Sequence, residues 1–367
     1  MSVLAGPGDA VGEIAALAGS HAAEADAERR VRPEVVDSLV KNGFTQWFVP
    51  TRWGNEPGTF LDLTRSVIAL GESCASTSWL ASLFAFSTRY LACFPERAQA
   101  DVWSDGPQAR IASVVKPLGK ATEVEGGWRL SGTWTYASGV EYSDWAMLAG
   151  PSPAQQDQKP KFFLLPRSDY SFEADWSSLG MRGTASHSLT VDDVFVPEHR
   201  AVSREDAMAG RGSSLPGPAV PTLAVNGITF VAPAVGAAKG MLAAAKQAVS
   251  VKPVGPRAAA GQGYQVAFAR AAAQIDTAEM LLERVAATAD AGELTPEVVR
   301  RSRRDSTFSL EVLTAAVDGL IRVGGTRGQE EPHPMQRFWR DVHSVGGHAV
   351  MQFEPAALDY TQGLVSA

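Results

Sequence analysis

Six histidines, two cysteines and a scatter of serines are the side chains from which chemistry would be built in this sequence. The histidines show no H-x-x-x-H or H-x-x-E-H spacing and have no cysteine partners, so no metal site is expected. A G-x-S-x-G motif is absent, which argues against a serine hydrolase. The early GPGDAVG run fails the G-x-G-x-x-G spacing and follows no strand, so a dinucleotide loop is rejected. Cys74 and Cys93 lie far apart in apolar contexts and read as buried thiols of a reducing compartment. A late pair remains, His343 and His348. Placed on one helix, they point about 140° apart around its axis and do not share a pocket. His348 flanks the apolar stripe and His343 the charged side; each is either a satisfied structural histidine or a functional one.

The elements that must position such residues fall into three blocks. From Gly126 to Arg200, short β-runs around Trp128, Leu130, Trp134, Tyr136, Val191, Val194 and Val196 are broken by glycine turns. The flanking stretches, before about residue 105 and after about 222, are rich in Ala and Leu and read as helical. Pro33 starts one helix, and Leu61–Ala69 and Thr77–Phe94 form two more. The last of these is apolar on nearly every side and therefore buried. Ala271, Ile275, Ala278, Leu282, Val285 and Ala289 recur at steps of three and four, as do Ser306, Leu310, Leu313, Val317 and Leu320. These are facing stripes of an antiparallel helix pair, the second capped by Thr295 with Pro296 at its first position. A final helix starts near Pro334, with Met335, Phe338, Val342, Val345 and Ala349 as its stripe.

Several of these stretches carry a likeness. The SG-x-W-x-x-x-SG strand end and the later SLGMRGTASHSLTVDDVFVP resemble the middle domain of the acyl-CoA dehydrogenase superfamily. HPMQRFWRDVH narrows this to its two-component (group D) flavin-dependent monooxygenases, which hydroxylate phenols with reduced flavin. RPEVVDSLVKNGF, GESCASTSWLASL, AVNGITFVAPAVGAAKG and GTRGQEEPHPMQRFWRDVHSVGGHAVMQFEPAA are similar to aromatic-polyketide hydroxylases of the actinorhodin-pathway type. The likeness runs from about residue 27 to the end.

It implies a mainly α fold with a central β-barrel: an N-terminal helical domain (1–105), a flavin-contacting middle β-barrel (106–217) and a C-terminal helical bundle (218–367). The bundle would assemble a homotetramer and hold the active-site histidine. It also implies FMNH2, with FADH2 as the other choice, O2, and a separate NAD(P)H:flavin reductase as partner. A phenolic or quinol aromatic, such as a polycyclic polyketide, would be hydroxylated through a flavin C4a-hydroperoxide. The dehydrogenases' catalytic glutamate falls at Ala349, which cannot act as a base, whereas the monooxygenases keep a histidine where His348 stands. His348 would then be a general base on the phenol. Ser138 matches a serine near the flavin N5 and otherwise reads as a turn residue before Gly139.

By the same likeness Trp134 and Tyr136 would pack either against the isoalloxazine or in the core, and Ser113 would meet the ring edge. Gly183, Thr184 and Ser186 would lie on the loop beside the ring. Arg182 and Arg337 reach phosphate or form salt bridges. Trp79, Phe84 and Asn226 line the substrate pocket or pack the core; Asn226 needs a partner, the substrate or a backbone carbonyl.

Composition agrees with a globular protein. At 367 residues, 45% hydrophobic and 20% charged, the chain can bury a large core. Its net charge of −7, with dispersed Lys and Arg, disfavours nucleic acid or an anionic membrane as partner. No uncharged apolar run of about 18 residues is read as a membrane span. No basic, apolar leader is expected at the N-terminus, and the cytoplasm is the expected location. Two rivals share the fold: an amino-sugar N-oxygenase, and a flavin-free scaffold protein without chemistry.

Overall fold

The computed structural model describes residues 7–151, 158–212, 219–250 and 258–365. Its first third is helical: α1 (Pro7–Ser20), α2 (Ala22–Glu28), α3 (Pro33–Lys41), α4 (Phe60–Gly71), α5 (Ala75–Leu91) and α6 (Glu96–Trp103). Pro33 takes the first position of α3, where its missing N–H is not needed. Thr59 caps α4 by accepting from the Asp62 N–H at 3.0 Å. α5 is buried along nearly its whole length, as its all-round apolar pattern requires.

The middle third holds β1 (Ile111–Val114), β2 (Lys120–Val124), β3 (Gly127–Ala137), β4 (Trp145–Gly150), β5 (Lys161–Pro166), β6 (Ser171–Glu173), β7 (His187–Pro197) and β8 (Ala201–Ser203). They form two four-stranded sheets, ordered β1-β4-β5-β8 and β2-β3-β7-β6. β1 and β4 run parallel; the other pairs are antiparallel. The expected barrel is not formed: among the described residues no strand pairs across from one sheet to the other. The sheets instead share a side-chain layer, with Trp128, Leu130 and Trp134 of one meeting Leu148, Phe163 and Leu165 of the other. The far face of the first sheet packs Phe162 and Leu164 against Tyr90, Phe94 and Trp103. Strand register thus ties the sandwich to α5 and α6.

After α7 (Arg204–Met208) come α8 (Thr222–Ser250), α9 (Ala258–Ala291), α10 (Pro296–Gly324), α11 (Pro334–Gly346) and α12 (Phe353–Val365). The expected domain boundary at 217/218 lies outside the described residues. The facing stripes of α9 and α10 are buried as their periodicity requires, and Thr295 caps α10 by accepting from the Val298 N–H at 3.3 Å. Among the described residues α8 is the one helix long and apolar enough to cross a membrane, contrary to the expectation of no such stretch. Most of it is buried, wrapped by α4, α5, α9, α10 and α11. α11 ends at Gly346, so Ala349 does not extend its stripe; that residue is exposed and opens a short 3-10 turn.

Candidate active site

The long strand β3 ends in a bulge, and there Ser138 meets α5 and the loop before β7. Gly139, at φ +73°, packs so closely on Leu80 and Phe84 that a Cβ would sit 3.1 Å from Leu80. Phe84 thus backs this turn from inside the core. The turn places the Ser138 hydroxyl 3.2 Å from the Trp79 indole nitrogen and 2.6 Å from Ser186 Oγ. Ser186 Oγ in turn lies 2.7 Å from Thr184 Oγ1, which donates to the Met181 carbonyl at 2.9 Å.

One arrangement uses every hydrogen in this row. Trp79 donates to Ser138, Ser138 to Ser186, Ser186 to Thr184, and Thr184 to Met181. Ser138 therefore spends its hydrogen inward and keeps a lone pair for whatever faces it. The backbone around the row is strained: Tyr136 (φ 63°), Met181 (φ 53°) and Ala185 (φ 45°) all adopt left-handed conformations without being glycine. Such strain persists only where surroundings enforce it and gathers at functional sites.

α11 supplies that enforcement. The buried Asp341 carboxylate accepts from the Met181 N–H at 2.6 Å, and Ser344 Oγ accepts from the Gly180 N–H at 2.9 Å. Arg340 donates to the Leu179 carbonyl at 2.7 Å and grips Asp26 with both terminal nitrogens, at 3.0 and 2.7 Å. Gly180 lies against the Arg340 carbonyl, where a Cβ has no room. Burial pushes the Asp341 carboxyl up to about 6, against the pull of the Met181 N–H.

His348 comes just past the end of α11, not on it, because Gly346-Gly347 break the helix. Its ring stacks on Phe230 of α8 (centroids 4.2 Å, 28° between planes) and lies 6.2 Å from Trp79. Although the residue keeps partial exposure, burial of the ring holds its pKa down to about 4. The ring is therefore neutral at working pH. Nδ1 accepts a long bond from the Val350 N–H at 3.4 Å, which leaves the hydrogen on Nε2. His343 faces elsewhere: its Nε2 pairs with Asp318 at 2.9 Å, and the same carboxylate accepts from Trp339 at 2.8 Å.

Residues 228–353 match the family model described as "Acyl-CoA dehydrogenase, C-terminal domain". The chain is 34% identical to the FADH(2)-dependent resorcinol hydroxylase, oxygenase component, of Rhizobium sp. (strain MTP-10005), over 94% of this chain and 91% of that one. It is an oxygenase component of the flavin-dependent monooxygenases. Among solved structures, 3-HSA hydroxylase from Rhodococcus sp. RHA1 superposes with a TM-score of 0.91 at 29% identity, over 98% of this chain and 96% of that one. XiaF from Streptomyces sp., solved with FADH2 and glycerol, gives 0.84 at 26% identity over 98% and 94%. The fold is thus acyl-CoA dehydrogenase-like, without the barrel.

In this oxygenase component the structure brings Trp79, Ser138, Thr184, Ser186 and His348 into one continuous set. Arg182 and Gly183 flank it, Gly183 lying 3.1 Å from Ser76 by a would-be Cβ. Arg182 stands 3.8 Å from Asp26, while its buried Nε has no hydrogen-bond partner. Tyr136 is 70% exposed, edge-on to Trp176 at 6.0 Å. The exposed Tyr136 beside Trp176, a free lone pair on Ser138 and the partly exposed Arg182 guanidinium together fit a planar ring bearing phosphate.

Other expected residues stand apart. Trp134 is wholly buried between the sheets, donating to the Ala149 carbonyl at 2.7 Å, and cannot stack on a flavin. Ser113 donates to Ser87 at 2.8 Å, two turns beyond Trp79 on α5. Arg337 lies over the neighbouring Phe338 ring at 5.4 Å. Asn226 is buried, and its side-chain oxygen has no hydrogen-bond partner. Sequence reasoning missed Phe230, which reads as one more apolar residue of α8, and the α11 clamp, whose partners lie 160 residues apart.

Proposed function

We propose that this oxygenase hydroxylates a phenolic or quinol aromatic ring bound beside the Trp79–Phe230–His348 cluster. The observation that carries the reading is the neutral His348, stacked on Phe230 and linked through Trp79 to the Ser138 hydroxyl row. A base whose conjugate acid has a pKa near 4 is too weak to keep a phenol's proton. Its Nε2–H suits a phenolate oxygen instead, so His348 stabilises the ionised substrate and raises electron density on the ring. We propose this role in place of the general-base role that the resemblance implies.

The bound reduced flavin supplies oxygen activation from O2. Ser138, Thr184, Ser186 and Arg182 would hold it, while Trp79 and Phe230 keep the substrate side apolar. The oxygenase-component name of the resorcinol hydroxylase supports a separate NAD(P)H-dependent flavin reductase as partner. FADH2 ranks ahead of FMNH2, since the resorcinol hydroxylase is named as FADH2-dependent and XiaF was solved with FADH2. An aromatic polyketide is the proposed natural substrate, in the cytoplasm. The deciding experiment mixes the protein with chemically reduced FAD or FMN, O2 and resorcinol, and analyses the product. Hydroxylated resorcinol is expected. Oxidation of an amino sugar with no phenol turned over would overturn this reading.

A further inference from the structure

α5 and α8 lie side by side and antiparallel. Trp79 meets Phe230 at 5.3 Å near one end, and the Arg89 guanidinium donates to the Val220 carbonyl near the other. Ten residues of α5 separate these anchors, about 15 Å along the helix. Ser82 and Arg89, two turns apart, share one face of α5, and Asn226 falls between the anchors on α8.

All three are at least nine-tenths buried, and each has a side-chain polar atom with no hydrogen-bond partner: Ser82 Oγ, Arg89 Nη1 and Asn226 Oδ1. Among the described residues no carboxylate lies within ion-pair reach of Arg89. Its neighbours are the Phe60 ring, 5.7 Å from the guanidinium carbon, and the Tyr90 and Cys93 side chains, which are neutral at neutral pH. A guanidinium does not shed its charge by deprotonation, so burial leaves it in want of an anion. A row of unpaired polar groups between apolar walls is how ligand pockets fix orientation.

We infer that the α5–α8 seam is the bed of the substrate, and that Arg89 receives a carboxylate carried at the end remote from the hydroxylated ring. This rests on the phenol-hydroxylating reading above. It makes the substrate an extended aromatic acid, with acceptor or donor groups along its length for Asn226 and Ser82.

The test is a matched pair, 3-(6-hydroxynaphthalen-2-yl)propanoate and its primary amide, titrated against the full-length protein by quenching of tryptophan fluorescence. The acid should bind about tenfold or more tightly than the amide, as a charge-assisted pair to a buried guanidinium requires. Arg89→Gln should erase that preference, while Arg89→Lys keeps part of it. Equal affinities in the wild type, no measurable binding of the acid, or a preference that survives Arg89→Gln would each overturn the inference. The wild-type comparison decides the matter alone if Arg89→Gln does not fold. Hydroxylation of resorcinol by the wild type tests the underlying reading separately: turnover of resorcinol with equal binding of acid and amide sinks only the carboxylate site.

Discussion

His343 and His348 differ in what lies against their rings, and that difference sets their expected phenotypes. His348→Ala removes the neutral ring beside Phe230 and Trp79 and should slow product formation about ten- to hundredfold, the worth of a hydrogen bond to a charged oxygen. The loss should shrink at high pH, where the phenol ionises unaided. With the His348 pKa near 4, the wild-type rate should show no histidine limb between pH 8 and 6. Single-turnover hydroxylation across that range checks both points; a loss of 10²–10⁴ would restore a general-base role, and a larger loss in His343→Ala would move the site. Ser138→Ala strips Trp79 and Ser186 of a partner. It should raise hydrogen peroxide release roughly five- to hundredfold, as expected for about 1–3 kcal/mol. Peroxide release equal to wild type would leave Ser138 a turn residue.

At the scale of elements, α11 does more than carry a stripe. Its Asp341 pins the strained Met181, and the folded carboxyl titrates near 6 against an ordinary 3.8. A carboxyl raised on folding contributes stability that is full below pH 3.8 and is lost as pH rises through 6. Two pKa units correspond to about 3 kcal/mol. Asp341→Asn should flatten the stability curve between pH 4 and 7, measured by urea unfolding; the same slope in both proteins would remove the burial argument. Helix positions were legible from caps and periodicity, since Pro33, Thr295 and the α9 and α10 stripes act locally. The break at Gly346-Gly347 was not, because the apolar spacing runs on through Ala349 and masks it. Alternation in β3 says which side chains are buried but not which strands share a ladder. A sandwich and a barrel therefore read alike until the pairing is seen.

On the scale of the whole molecule, the site is assembled from all three thirds of the chain: Trp79, then Ser138 with Ser186, then Phe230 and His348. A likeness of separated motifs made the family legible, while the Asp341–Met181 bond and the hydroxyl row needed coordinates. Apolar Leu358, Leu364 and Val365 stay exposed along α12, a face suited to meet another chain, and we propose that it takes part in the homotetramer the likeness implies. Sedimentation velocity at micromolar protein should give a four-chain species; a monomer would leave that face unexplained.

The apolar length of α8 matters before the protein is finished. As the chain leaves the ribosome, α4 and α5 have already emerged, but α9, α10 and α11 are still to be translated. For that interval α8 resembles a nascent membrane segment with half its coat missing, and the competing fates are chaperone capture, aggregation and insertion into lipid. Cell-free translation stopped after residue 250, with liposomes present, should leave the product sedimenting with lipid or as aggregate, while the full chain stays in the supernatant. Equal solubility of the two would show that α4 and α5 alone suffice to shelter it.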